Sequence, residues 1–393
     1  MGDVEIRNHI QNMNANHETA MLVYAFTSIV TVSNRVPATE EDIDRQVDNM
    51  VSLALGHYEP MKVSPPTITR LVALIFLEVV FAILDSVSMS FFYLREAITL
   101  VQMLQQHIPL TSETLDPPER ARRQRIYWLC FVHERWLALV SSTTICLDPL
   151  PSLPDVNTAT PHEVEQGWNC IIKNSLVVDR EFVSCWTGDR SRVTADWIQR
   201  KHNDLADDAW QLEVGRLSMT QQADLIVTRQ WLRTLTWQMA ISNFLTSSNK
   251  PSSEALSLAM PVQLSSELRC FLEHISSGAG ELYRGGFTNK LFEITNTIAD
   301  VLLHLPLVES EQITSRRIDL FNRSGPYTKE FWRESSANLN DSTGIIFKSS
   351  MSKSTHGRRK VLSYSREPTS RILVLSMACP SFKPTEIGGR TSH

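Results

Sequence analysis

The sequence predicts an all-α fold, and three observations carry that expectation. Only 14 of the 393 residues are glycine, and turn-forming clusters are sparse until the C-terminal third, which leaves little punctuation for many short strands. Long segments place apolar side chains almost all the way round a 3.6-residue period, as helices inside a bundle do. Several of these segments begin at recognisable capping residues. With 42% hydrophobic and 21% charged residues the chain can bury a sizeable core, which excludes wholesale disorder. A net charge of -5 excludes a generally basic nucleic-acid coat.

The amino-terminal "MGDVEIRNHIQNMNANHE" is polar and lacks the charged-then-apolar layout of a signal peptide, and Ile6 stands where a myristoylation motif wants Ser or Thr. "ETAMLVYAFTSIVTVS" reads as a core helix. Thr39 followed by "EED" signals the start of the next one, with Asp42 in the third position of a capping box. The apolar stretch Leu71 to Leu94 is long enough to span a bilayer, but Glu78 and Asp85 would each cost roughly 2.5–3.5 kcal/mol at mid-membrane. It is therefore expected to be buried in protein, with a soft break around "DSVSMS" that makes either a helical hairpin or one long helix. Asp116, Pro117 and Glu119 announce a further helix, Asp116 as its cap. "LDPLPSLPDVNTATPHE" is a proline-rich loop. Helical patterns resume in "VEQGWNCIIKNSLVVDREFVSCW", "TADWIQRKHNDLADDAWQLEV", "SMTQQADLIVTRQWLRTLTWQMAISNFL", "SSELRCFLEHISS" and "FTNKLFEITNTIADVLLHL". The domain organisation expected is a helical unit over residues 1–305 and a largely disordered, poorly structured tail over 306–393. Within that tail only "RILVLSMA" has strand character.

No nucleophile elbow, phosphate loop or dinucleotide fingerprint is present; "SGAGELY" lacks the third glycine. His133-Glu134 begins like a zinc-protease motif, but Leu137 occupies the second histidine's place. His133 then reads as a lone imidazole on the core face of Ile126 and Leu129, without a partner. The six cysteines (130, 146, 170, 185, 270 and 379) include no C-x-x-C pair and are expected to be reduced and mostly buried. Glu134 and Arg135 lie in a helix apolar on every side, so each needs a partner. Arg95 and Glu96 offer one, and a four-residue ionic cluster is expected to tie the two helices together. Arg120, Arg122, Arg123 and Arg125 crowd the start of the same helix. Because that helix turns apolar within two turns, they are expected to find partners within the protein, such as Glu119, rather than phosphates. "HGRRK" at His356 to Lys360 is a weak nuclear-import signal.

"FFYLREAITLVQML", "RRQRIYWLCFVHERWLAL" and "ICLDPLPSLPD", in this order, resemble the middle regulatory domain of fungal binuclear zinc-cluster transcription factors, in the subgroup of amylase and maltose regulators. "QQADLIVTRQWLRTLTWQMAISN" resembles a later signature of that subgroup, and "KLFEITNTIADVL" its distal end. The likeness covers roughly Glu18 to Leu305. It implies an all-helical, non-enzymatic, nuclear regulator of a metabolic pathway, either carbohydrate use or secondary-metabolite biosynthesis. Members of that family read DNA through a module in which six cysteines hold two zinc ions, and this sequence contains no such cluster. The expectation is therefore no cofactor, no metal, no membrane and no sequence-specific DNA binding by this chain. Protein partners are expected instead, such as a DNA-binding transcription factor or the transcription machinery, and a small effector molecule is allowed. No catalytic, cofactor-binding, metal or DNA-binding residue is assigned. Two other readings stay open here: a small-molecule binder or enzyme on a helical scaffold, and a gene fragment without an independent role.

Overall fold

The computed structural model describes residues 3–298 apart from 34–39, 59–65, 85, 108–109, 111–113, 157–159, 207, 246–253, 259, 276–289 and 292. Among the described residues there are twelve α-helices and no strand, as the sparse turns and 3.6-residue periodicity predict. The expectations for "SGAGELY", "RILVLSMA", "HGRRK" and the whole of 306–393 lie outside the described residues.

The first half is built on α1 (Asp3–Asn12), α2 (His17–Ser33), α3 (Glu40–Gly56), α4 (Ile68–Ile83) and α5 (Val87–His107). Helix α2 packs on both α3 and α4, and α4 packs on α5. Thr67 caps α4 by accepting from the Arg70 amide at 3.1 Å, and its hydroxyl donates to Glu18 Oε2 at 2.5 Å, so one residue starts α4 and ties it to α2. The long apolar stretch resolves into a hairpin. Helix α4 ends at Ile83, Ser86 N–H bonds Phe81 O at 2.8 Å, and α5 has begun by Val87. Among the described residues no helix is long and apolar enough to cross a membrane.

Helix α6 (Pro117–Ser141) is the central beam. Asp116 sits at its N-cap position, but its side chain makes no capping bond, and Glu119 bonds Arg123 instead of completing a box. Pro118, at the second helical position, already removes one of the amides a cap would serve, so the cap contributes little here. Ser142 (φ 53°) turns the chain back, and residues 143–156 run as an irregular strap beside α6.

The second half comprises α7 (His162–Leu176), α8 (Arg180–Thr187), α9 (Ala195–Leu205), α10 (Asp208–Val214), α11 (Met219–Ser242) and α12 (Met260–Ile275), followed by a helical stretch at 293–298. The sequence gives no warning that α7 and α8 are separate; Asp179 divides them by capping Phe182 N–H at 2.7 Å. Thr194 caps α9, and Ser218 with Gln221 forms a reciprocal capping box on α11. Buried Arg229 closes the far end of α9 by donating to the carbonyls of Leu205 (2.8 Å) and Asp204 (2.6 Å) while stacking on Trp210.

Two apolar cores result. One runs through α2 to α6, α7 and α10, with Trp128, Phe131, Leu74 and Leu94 at its centre. The other is formed by α8, α9, α11 and the end of α6, around Phe182, Trp197, Leu232 and Leu235. Helix α6 feeds both, because Ile126 to Leu137 face the first core while Ala138 and Leu139 enter the second.

Candidate functional site

The arginines at the start of α6 are consumed inside the protein. Arg120 donates to Asp155 at 2.6 Å, Arg122 to Glu5 at 2.6 Å, Arg123 to Glu119 at 2.7 Å, and Arg125 pairs with Glu165. These partners lie on α1, α6, the strap and α7, so the cluster gathers four segments round the start of the beam. With each guanidinium already on a carboxylate, none is left to neutralise phosphate.

A second charged centre lies two turns from the end of α6. The Glu134 carboxylate accepts from Arg95 at 2.9 Å, Arg135 at 2.8 Å, Cys146 N–H at 2.6 Å and Leu147 N–H at 2.9 Å. Arg135 also donates to Leu147 O at 2.5 Å and lies over the Phe131 ring at 3.5 Å. Burial pulls its guanidinium down to about 10, against the opposing pull of Glu134. One buried carboxylate thus fastens α5, α6 and the strap.

Glu96 corrects the four-residue cluster expected from the sequence. It accepts from Arg70 at 2.7 Å and from the Tyr58 hydroxyl at 2.7 Å, and joins neither Glu134 nor Arg135. Adjacent helical residues point about 100° apart, so Arg95 and Glu96 serve different neighbours.

His133 is a second correction. It is buried on the core face, yet it is not alone: Nδ1 lies 2.6 Å from Glu78 Oε2, and Glu78 Oε1 accepts from Ser90 at 3.3 Å. Glu78 is wholly buried and needs this partner, but nothing in the sequence links positions 78 and 133. Ser90 touches the carboxylate rather than the imidazole, so no nucleophile–base contact is formed. The group is a buried polar tie between α4, α5 and α6.

A cleft opens between α6, α7 and α11. Val132, Trp136, Leu139 and Ile171 form one side, and Asp224, Thr228, Trp231 and Lys290 the other. About 460 Å³ lies between its walls, part of it open to solvent. Lys290 is 3% exposed; it donates to the Thr228 hydroxyl, lies 3.6 Å from Asp224 Oδ1 and faces the Trp231 ring at 6.0 Å. Desolvation lowers its ammonium to about 8, against the pull of Asp224. The same burial raises the Glu293 carboxyl, which accepts from Trp231 Nε1 at 2.5 Å. The sequence signals neither Lys290 nor the cleft, because the residues that meet there are spread from 132 to 290.

Zinc has no seat among the described residues: no three His, Cys, Asp or Glu side chains gather to hold a metal. Cys130, Cys170 and Cys185 are buried free thiols on α6, α7 and α8, and burial raises all three above the ordinary thiol range; Cys146 is exposed. Cys270 and Cys379 lie outside the described side chains.

Residues 9–174, from α1 to near the end of α7, match the fungal specific transcription factor domain. The chain is also similar to the probable sucrose utilization protein SUC1 of Candida albicans, 23% identical over 275 residues that cover 66% of this chain and 51% of the relative. The maltose fermentation regulatory protein MAL63 of Saccharomyces cerevisiae is 24% identical over 208 residues, covering 50% of this chain and 41% of its own. The chain therefore spans about half the length of the curated relatives it matches. No solved structure matches it. The domain match ends inside α7, so the second core is made chiefly of residues beyond it.

Proposed function

We propose that this chain is the control region of a nuclear fungal transcription regulator of carbohydrate use, and that it works through protein partners rather than through catalysis. The observation that carries the reading is the domain match over residues 9–174, joined to two similar proteins whose names describe sucrose utilization and maltose fermentation regulation. A physical argument supports the reading: the basic cluster Arg120 to Arg125 is tied to carboxylates and offers no uncommitted guanidinium to phosphate, and we take contact with DNA to be made through a partner. We take residues 1–305 as the regulatory unit and 306–393 as a tail outside it. Carbohydrate use is preferred to secondary metabolism because the names of both relatives refer to the use of sugars.

The test fuses the full chain to a heterologous DNA-binding domain upstream of a reporter and grows cells on sucrose, maltose or glucose. Carbon-source-dependent output supports the reading; output identical on all three sugars and equal to that of the DNA-binding domain alone overturns it. A mobility-shift titration of the purified chain tests the DNA argument separately, since tight, sequence-selective binding would show that the chain needs no DNA-binding partner.

A further inference from the structure

We propose that the cleft between α6, α7 and α11 is a covalent capture site for small aldehydes and ketones, with Lys290 as the amine. Four features of the cleft argue for this chemistry. Lys290 lines it with its stem and amine withdrawn from bulk water, at 3% exposure. The surroundings are apolar and aromatic, with Trp136 and Trp231 among the lining residues, and such surroundings favour a neutral amine over an ammonium. A carboxylate, Asp224, stands 3.6 Å from Nζ, near enough to take and return a proton. The cleft, about 460 Å³ and partly open to solvent, gives a small carbonyl compound a way in from the surface.

The steps balance without an oxidant or reductant. The ammonium gives a proton to Asp224, and the freed lone pair attacks the carbonyl carbon. A C–N bond forms, the carbonyl π pair moves to oxygen, and a proton passes from the attacking nitrogen to that oxygen, giving a neutral carbinolamine. The nitrogen lone pair then expels the hydroxyl, which leaves as water with a proton returned by Asp224. The nitrogen loses its remaining proton to solvent, so amine plus carbonyl gives imine plus one water. The lowered ammonium of Lys290, about 8, supports this reactivity. At pH 7 roughly a tenth of such an amine is neutral, against roughly one part in two thousand for an exposed lysine. Weaker intrinsic nucleophilicity and restricted access offset part of that ratio of about two hundred, which leaves an expected preference of about tenfold.

The experiment incubates the purified full chain at pH 7 with propionaldehyde and cyanoborohydride, which reduces an imine to a stable amine, and maps adducts by peptide mass spectrometry. The expected result is at least tenfold more adduct on Lys290 than on any other lysine, lost in Lys290→Arg and reduced in Asp224→Asn. Labelling at Lys290 should level off above about pH 8, while exposed lysines continue to gain through pH 10. This pH profile needs no variant, so it decides the matter even where Lys290→Arg fails to fold. Adducts spread over exposed lysines, with Lys290 unmodified by propionaldehyde, would overturn the proposal. The chemistry is read on purified protein, so its failure leaves the regulatory reading standing. A reporter that ignores carbon source while Lys290 still labels sinks only the regulatory reading.

Discussion

Replacing Glu134 with glutamine tests the buried fastening most directly. The substitution keeps the side chain's shape but removes its charge, and it turns one acceptor oxygen into an N–H₂ group. Four donors converge on the native carboxylate: Arg95, Arg135 and the amides of Cys146 and Leu147. In the variant some of them face a donor, and Arg135, 2% exposed, loses its counter-charge. Breaking one side of a buried ion pair costs about 3–5 kcal/mol, and each stranded amide adds about 1–3 kcal/mol where the strap cannot relax. Because residues 143–156 are irregular and partly exposed, the strap can swing out, and a total of about 3–5 kcal/mol is expected. Urea unfolding followed by circular dichroism measures this. Arg95→Gln, whose side chain is 23% exposed, should cost about 1–2 kcal/mol, and the double variant should cost less than the sum. Glu96→Gln breaks the separate Tyr58–Arg70 group, so its loss should add to that of Glu134→Gln within about 0.5 kcal/mol. A Glu134→Gln protein within about 0.5 kcal/mol of the parent would refute the reasoning, because it would mean that Arg135 does not depend on this carboxylate.

Other expectations can be checked by similar means. Lys290 has a folded pKa of about 8, below its unfolded value, so the unfolded state binds more protons between pH 8 and about 10.4; docking of residues 290–298 should therefore strengthen as pH rises through that window, by up to about 3 kcal/mol, as read by stopped-flow proteolysis of the segment. Asp179→Ala should cost about 2–3 kcal/mol, because it uncaps α8 and removes the carboxylate 2.6 Å from buried Lys201; Asp179→Asn, which keeps the cap, should cost about half of that in the same urea assay. Gly188→Ala should destabilise by about 1–3 kcal/mol through backbone strain alone, since φ is +136° and its Cβ would meet nothing within 4 Å. Gly167→Ala should cost about 1–2 kcal/mol in thermal unfolding, because its Cβ would lie 2.5 Å from Gln221 Nε2 and push that side chain out of its capping box with Ser218, a loss that alanine's helix preference of about 1 kcal/mol only partly offsets.

The helical class, the beam and the fate of the arginines were all legible in the residues. Apolar side chains on every side of Ile126 to Val140 require neighbours all round, and few turn signals leave few ways to supply them except with other helices. Arg95 and Glu134 were also legible as partners, since charges inside such helices need compensation. What residue order could not assign was the direction in which adjacent side chains point and which distant segments meet. Glu96 goes to Tyr58 and Arg70 because it lies one residue, about 100°, round the helix from Arg95. His133 finds Glu78 because the α4–α5 hairpin is laid against α6, a packing decision invisible to local periodicity. The Lys290 cleft depends still more on tertiary structure, because its lining comes from positions 132 to 290. Local pattern determines which residues must be buried; the packing of helices determines which of them meet, and so where charge, space and reactivity coincide.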